Sequence, residues 1–166
     1  MSYMTIDVGM KHLAYCLISN SGVIYGFEMI SVDMKDKVKF ICDILTERIQ
    51  KYKIIKVIVE QQVLKNVQAM IIQNIIKTYC YINNIEFSTY NPKNKFKYLN
   101  ETYNSKKKEH KKISIRYATN ILTRMNRQDL INMFNQYDKK DDLADAICMA
   151  VMSVYPNDKV ISLISE

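Results

Sequence analysis

The sequence predicts an α/β fold: a five-stranded mixed sheet, three antiparallel strands then two parallel ones, flanked by helices. Three observations carry this expectation. Short runs rich in β-formers open the chain, apolar segments of helical period fill its second half, and residues 54–59 are apolar almost throughout. The last pattern is that of a strand buried on both faces in a parallel setting. At 166 residues and 48% hydrophobic content, residues 1–166 read as one domain, long enough for a real core.

Residues 3–9 alternate and form a first strand, and residues 12–19 form a second. Asn20-Ser21-Gly22 supplies turn chemistry, and residues 23–30 complete an antiparallel meander. Ser31 or Asp33 can cap a helix running to about residue 51, with apolar positions at Val38, Ile41, Ile44, Leu45 and Ile49. A right-handed crossover then leads to the strand at 54–59. A helix over 66–83 follows, and a short strand at 86–90 ends at Asn91-Pro92. A lysine-rich stretch leads into helical segments at 113–125, 129–135 and 141–155. Parallel pairing of the fourth strand with the first makes Asp7 and Glu60 neighbours. They then stand where the meander meets the parallel half, a place where open α/β sheets build sites.

No apolar run approaches the roughly 18 residues that span a bilayer, so no membrane partner is expected. The chain enters a strand pattern at once, which predicts no signal peptide. Cys16, Cys42, Cys80 and Cys148 form neither a C-x-x-C pair nor a zinc spacing and read as reduced core residues. Net charge is +7, yet residues 93–127 hold eight Lys and three Arg against Glu101 and Glu109, a local +9 that leaves −2 for the rest. Such a patch is the footprint of a polyanion, as against a solvated loop with incidental lysines.

Against this basic background four acids stand out. Asp7 lies in Met4-Thr5-Ile6-Asp7-Val8-Gly9, Glu60 ends the fourth strand, and Asp142 and Asp145 head the apolar helix at 141–155. Strand alternation puts Thr5, Asp7 and Gly9 on one face. The i, i+3 spacing sets Asp142 and Asp145 about 5–6 Å apart on one helix face, with Leu143, Ile147, Val151 and Val154 facing the sheet. Each acid has a plainer use: Asp7 in a turn, Glu60 as a cap or ion-pair partner, the helix pair as first-turn acids favoured by the dipole. Together they favour a metal centre, because buried carboxylates are costly without a compensating cation. Oxygen donors with no Cys or His nearby suit Mg²⁺ or Mn²⁺ rather than zinc. Two such ions can activate water and stabilise the leaving oxygen of a phosphodiester. Asp141 lies about 100° round the helix and reads as a capping or outer residue. Actin/hexokinase-type ATPases also open on Asp-x-Gly, but they need two such domains to clamp a nucleotide and are far longer than this chain.

The motifs resemble those of RuvC-type Holliday junction resolvases. Ile6-Asp7-Val8-Gly9 with the strand after it resembles their opening, Val59-Glu60-Gln61-Gln62 their second acidic motif, and Asp142-Leu143-Ala144-Asp145-Ala146 their closing D-x-x-D-A. Lys140-Asp141-Asp142-Leu143-Ala144-Asp145 and His110-Lys111-Lys112-Ile113-Ser114 are most similar to the poxvirus branch. The resemblance covers residues 3–155. It implies an RNase H-like fold and a homodimer that makes paired metal-dependent nicks in four-way DNA. It also implies Asp7, Glu60, Asp142 and Asp145 as metal ligands, Lys112 as a catalytic lysine, and host-cell cytoplasm as the place of action. Concatemer junctions of a replicating viral genome are the implied substrate, with no small-molecule substrate. The lysine-rich stretch 94–110 has no clear bacterial counterpart. The alternative within the fold is a nuclease for flaps, other branched DNA or structured RNA. A non-catalytic nucleic-acid scaffold is disfavoured by the intact quartet.

Lys93, Lys95, Lys97, Lys106, Lys107, Lys108, Lys111 and Arg116 are the expected phosphate contacts. Phe96, Tyr98 and Tyr103 interleave with them and either stack on bases or anchor the segment to the core. The helix from Asn66 carries a stripe of Val67, Met70, Ile71, Ile75, Tyr79 and Ile82, widened by Ala69, Ile72, Ile76 and Cys80. One stripe suffices for packing on a sheet. The surplus predicts a two-fold interface through Val67, Met70, Ile71, Ile75 and Tyr79.

Overall fold

Alternation in the first run sends Met4, Ile6 and Val8 of strand β1 (Ser2–Val8) into one core and turns Thr5 to the other side of the sheet. The computed structural model describes residues 1–9, 11–32, 35–63, 65–98 and 107–165. Asp33, Tyr103 and Lys106 lie outside the described residues, as do the side chains of Lys107 and Lys108. Strand β1 pairs antiparallel with β2 (His12–Ser19) and parallel with β4 (Ile54–Glu60). With β3 (Ile24–Ser31) and β5 (Glu86–Tyr90) the sheet order is β3-β2-β1-β4-β5. This is the mixed five-stranded sheet that the sequence predicts.

Helices α1 (Lys37–Tyr52) and α2 (Val67–Ile82) cover the Met4/Ile6/Val8 side. Helices α3 (Lys107–Arg124), α4 (Gln128–Asn135), α5 (Asp141–Val154) and α6 (Asn157–Ile164) cover the other. Helix α5 is the centre of that layer, buried continuously from Ala146 to Met152. The Thr5 hydroxyl donates to the Ala146 carbonyl at 2.8 Å, both buried, and so pins α5 across β1. Gly9 closes the turn from β1 to β2: its N–H donates to the His12 carbonyl at 2.9 Å, and a Cβ there would lie 3.0 Å from that oxygen.

Four local expectations are corrected. Ser31 ends β3 and does not cap α1; the cap is Asp36, whose carboxylate accepts from the Lys39 N–H at 3.2 Å. Pro92–Tyr98, in the lysine-rich stretch that carries no expected element, is a 3-10 helix held down by buried Phe96. Helix α3 starts at Lys107 instead of residue 113, because a charged first turn carries no apolar period to mark it. Helix α6 follows Pro156 and buries Val160, Leu163 and Ile164. The cysteines are all free; Cys16, Cys80 and Cys148 are buried and Cys42 is half-buried. No described helix is long and apolar enough to cross a membrane.

Replacing Thr5 by Val keeps its shape and removes the bond to Ala146. We expect a loss of about 1–3 kcal/mol in urea unfolding with an unchanged m-value. An unchanged midpoint would show that this bond does not hold α5 on the sheet.

Candidate active site

The parallel register that sets Ile6 against Val59 carries Asp7 and Glu60 to the same end of adjacent strands. From the opposite layer the pinned α5 brings Asp145 to them. One carboxylate oxygen from each of Asp7, Glu60 and Asp145 lies within 4.8 Å of the others. Asp142 is half-buried and lines the same cleft, of about 680 Å³, without joining that closest group. The chain leaving Glu60 is fixed by three bonds. The Gln61 N–H donates to the Tyr90 carbonyl at 2.9 Å, the Gln62 N–H to Gln73 Oε1 at 3.0 Å, and Gln62 Nε2 to the Glu60 carbonyl at 3.0 Å.

These acids resist ionising together. Burial first, then the charges of Glu60, Asp145 and Asp142, holds Asp7 well above the ordinary carboxyl range. Burial and Asp145 push Glu60 up to about 7, with Lys95 opposing. Asp142 is raised by burial and by Asp141 and Asp145. Oxygen-only donors under mutual repulsion fit a hard divalent cation. The donor set therefore suits the ion expected from the sequence.

The basic residues divide. Lys95 was expected on the DNA surface; it is instead 7% exposed, and its ammonium pairs with Asp145. The 3-10 repeat aligns Lys95 with Pro92 and Tyr98 on one face, and Lys93 and Lys97 are exposed. Phe96 is buried and packs at a tilt against His110, with ring centroids 4.6 Å and planes 41° apart, so it anchors the segment and offers no free face to a base. Tyr98 packs on the same core. Lys111 lines the cleft and pairs with Asp141, tying α3 to α5 at its rim. Lys112, one residue on, is exposed and is not among the cleft-lining residues. Arg116 is exposed on α3, its guanidinium 5.6 Å from the Tyr117 ring centre.

Helix α2 turns Ala69, Ile72, Ile76 and Cys80 to the sheet, all fully buried. Val67 and Ile71 are exposed, and Met70, Ile75 and Tyr79 are half-buried. Ile71, Ile75 and Tyr79 line an apolar groove of about 550 Å³ against Val38 and Cys42 of α1.

A protein-family model, Poxvirus A22 protein, matches residues 1–157. The chain belongs to the Poxvirus A22 family. Its fold is similar to that of the fowlpox virus resolvase solved with substrate Holliday junction DNA: TM-score 0.71 and 22% identity over 93% of this chain and 97% of that one. Thermus thermophilus RuvC gives a TM-score of 0.65 at 16% identity, covering 91% and 92% of the two chains. The yeast mitochondrial Holliday junction resolvase Ydc2 gives 0.62 at 14% identity, covering 96% and 81%. The RuvC-type, RNase H-like fold expected for an A22-family chain is thereby established. Among curated proteins, "Uncharacterized protein 97L" of Invertebrate iridescent virus 3 is 32% identical over 94 residues. That match spans 55% of this chain and 44% of the relative, less than half its length.

The raised Glu60 fixes the sign of a pH effect. A carboxyl near 7 in the folded chain and near 4.5 in the unfolded one binds more protons when folded, so its contribution is present below 4.5 and lost as pH rises through 7. Without divalent metal, the melting temperature should fall between about pH 5 and pH 8, and saturating Mg²⁺ should flatten the trend. A metal-free protein that gained stability over this window would contradict the crowding of the acids.

Proposed function

We propose that this chain is a divalent-metal-dependent endonuclease that resolves four-way DNA junctions by paired nicks. The observation that carries the reading is the convergence of Asp7, Glu60 and Asp145 within 4.8 Å, on a fold similar to that of a resolvase solved with junction DNA. Asp7, Glu60, Asp142 and Asp145 are the ligand set. Bound Mg²⁺ or Mn²⁺, two ions per site, would polarise the scissile phosphodiester and lower the pKa of an attacking water.

The chain's own residues do the rest. Asp7 and Glu60 hold their oxygens on rigid strands, which favours a fixed donor geometry over a flexible loop. Asp142 and Asp145 approach from the first turns of α5, whose dipole favours negative charge there. Lys111 at the rim, with Lys93, Lys97, Lys112 and Arg116 on the exposed surface, gives a charged track for phosphates; Lys106, Lys107 and Lys108 extend it in sequence. The apolar face through Val67, Met70, Ile71, Ile75 and Tyr79 serves a homodimer, which supplies the second nick. It lies on the sheet face away from α5, so pairing leaves the cleft open. Host-cell cytoplasm is the setting that poxvirus-type genome processing implies.

The deciding assay is Mg²⁺-dependent nicking of a synthetic four-way junction beside a linear duplex, with ends mapped on every strand. Symmetric nicks in opposing strands of the junction alone are expected, and preferential cutting of flaps would move the chain to another branched substrate. Asp7→Asn should bind the junction as wild type and lose nicking by at least about 10²-fold. An Asp7→Asn protein that cuts at the normal rate rejects the metal centre.

Lys111 and Lys112 separate by placement. Lys111→Ala should lower single-turnover nicking more than junction affinity, since a cation at the cleft stabilises charge built up in the transition state. Lys112→Ala should weaken binding at low salt and leave the rate at saturation intact. The reverse pattern would return the catalytic role to Lys112.

A further inference from the structure

Lys95 is the one charged side chain that is buried among the described residues, at 7% exposure. The fold takes trouble to put it there. The 3-10 helix Pro92–Tyr98 starts on a tight turn in which the Asn91 side chain accepts from the Lys93 N–H at 3.0 Å and its carbonyl from the Asn94 N–H at 2.9 Å. Phe96, buried beside it, fixes the helix against the α3–α5 layer. The Lys95 ammonium then reaches the cleft and pairs with Asp145, one of the three acids that converge. This ammonium pairs directly with Asp145 and lies within electrostatic reach of Glu60, and it is held there by geometry that its neighbours impose, because a buried pair gains little over solvation.

We propose that Lys95 is a built-in counter-cation of the acid cluster, which a divalent ion has to displace from Asp145 before it binds fully. This rests on the metal-centre reading above. The ammonium supplies one positive charge where the carboxylates would otherwise repel one another. An arriving ion meets both competition for the Asp145 oxygen and repulsion from the nearby charge, so Lys95 lowers the metal affinity of the free protein. A displaced ammonium stays tethered at the cleft, where a DNA phosphate is its next available partner. Loading of metal and of DNA then support each other through one side chain.

The test is calorimetric titration of the DNA-free, full-length protein with Mn²⁺ at pH 8, paired with thermal melts in EDTA. Lys95→Met should bind Mn²⁺ about tenfold or more tighter than wild type, the scale of one lost charge interaction in a partly shielded site. Its metal-free melting temperature should drop and be regained with Mn²⁺. Lys95→Gln, with a polar tip, carries the same expectation if the Met variant does not fold. Lys95→Arg keeps the charge and should match wild type within about threefold. Unchanged or weaker Mn²⁺ binding in both neutral variants overturns the proposal and returns Lys95 to an ordinary structural pair. Loss of junction affinity in EDTA with unchanged Mn²⁺ binding overturns it too, in favour of a plain phosphate contact. A wild-type protein that binds no Mn²⁺ rejects the metal centre itself, which is a different result from failure of the Lys95 step.

Discussion

Like charges forced into one cleft are the constraint on which the rest of the structure depends. Asp7 and Glu60 stand side by side because β1 and β4 run parallel in register, and Asp145 meets them because α5 is pinned across β1 through Thr5 and Ala146. Each placement opposes the preference of a carboxylate for water, and each raises the cost of its neighbour. Such a cluster persists only when the surrounding packing over-determines it. The continuous burial of α5 from Ala146 to Met152 provides that packing, and it begins immediately after Asp145. The hydrophobic core and the acidic site are therefore two ends of one helix, and the first holds the second in place.

The sheet also separates the molecule's two surfaces. Side chains of β1 alternate between a core shared with α1 and α2 and a core shared with α3 to α6. The acids belong to the second side and the apolar groove to the first. Helix α2 closes its core with Ala69, Ile72, Ile76 and Cys80; Ile71 is exposed, while Ile75 and Tyr79 pack on the edge of that core, where the Tyr79 hydroxyl shares a 2.8 Å hydrogen bond with Thr46. Strand alternation, with its period of two, keeps the cleft and the groove on opposite sides of the sheet.

Much of this was legible in the sequence where a pattern has a period. The strands at 12–19 and 86–90 coincide with β2 and β5, and Asn66 caps α2, its side chain accepting from the Ala69 N–H at 3.3 Å. The acids were legible because carboxylates in apolar runs are rare without a use. Where the period is weak, the reading fails. The first turn of α3 is almost entirely charged and looks like loop. Helix α6 carries Val160, Leu163 and Ile164 at i, i+3, i+4, a sufficient signal hidden behind Pro156, which reads as a terminus rather than as a helix start. For α2 the sequence offers two apolar stripes, and the one through Ala69, Ile72, Ile76 and Cys80 is the one that packs on the sheet. Both are apolar, and only contact with the sheet distinguishes them.

The basic segment shows why composition alone misassigns residues. Lys93, Lys95 and Lys97 alternate with Asn94 and Phe96, and a strand-like or irregular chain would expose all three lysines together. A repeat of three residues per turn groups Lys95 with Pro92 and Tyr98, and Lys93 and Lys97 are exposed. The signal was present in the tight turn at Asn91-Pro92 and in the two aromatics that have to be buried somewhere. Acids and lysines thus do not divide into a metal side and a phosphate side. Lys95 belongs electrostatically to the acids, being paired with Asp145, and its sequence neighbours belong to the surface. The boundary between the two fields runs through the 3-10 helix, within a few residues of one charge-rich segment, and the way that helix packs, rather than net charge, decides on which side each lysine falls.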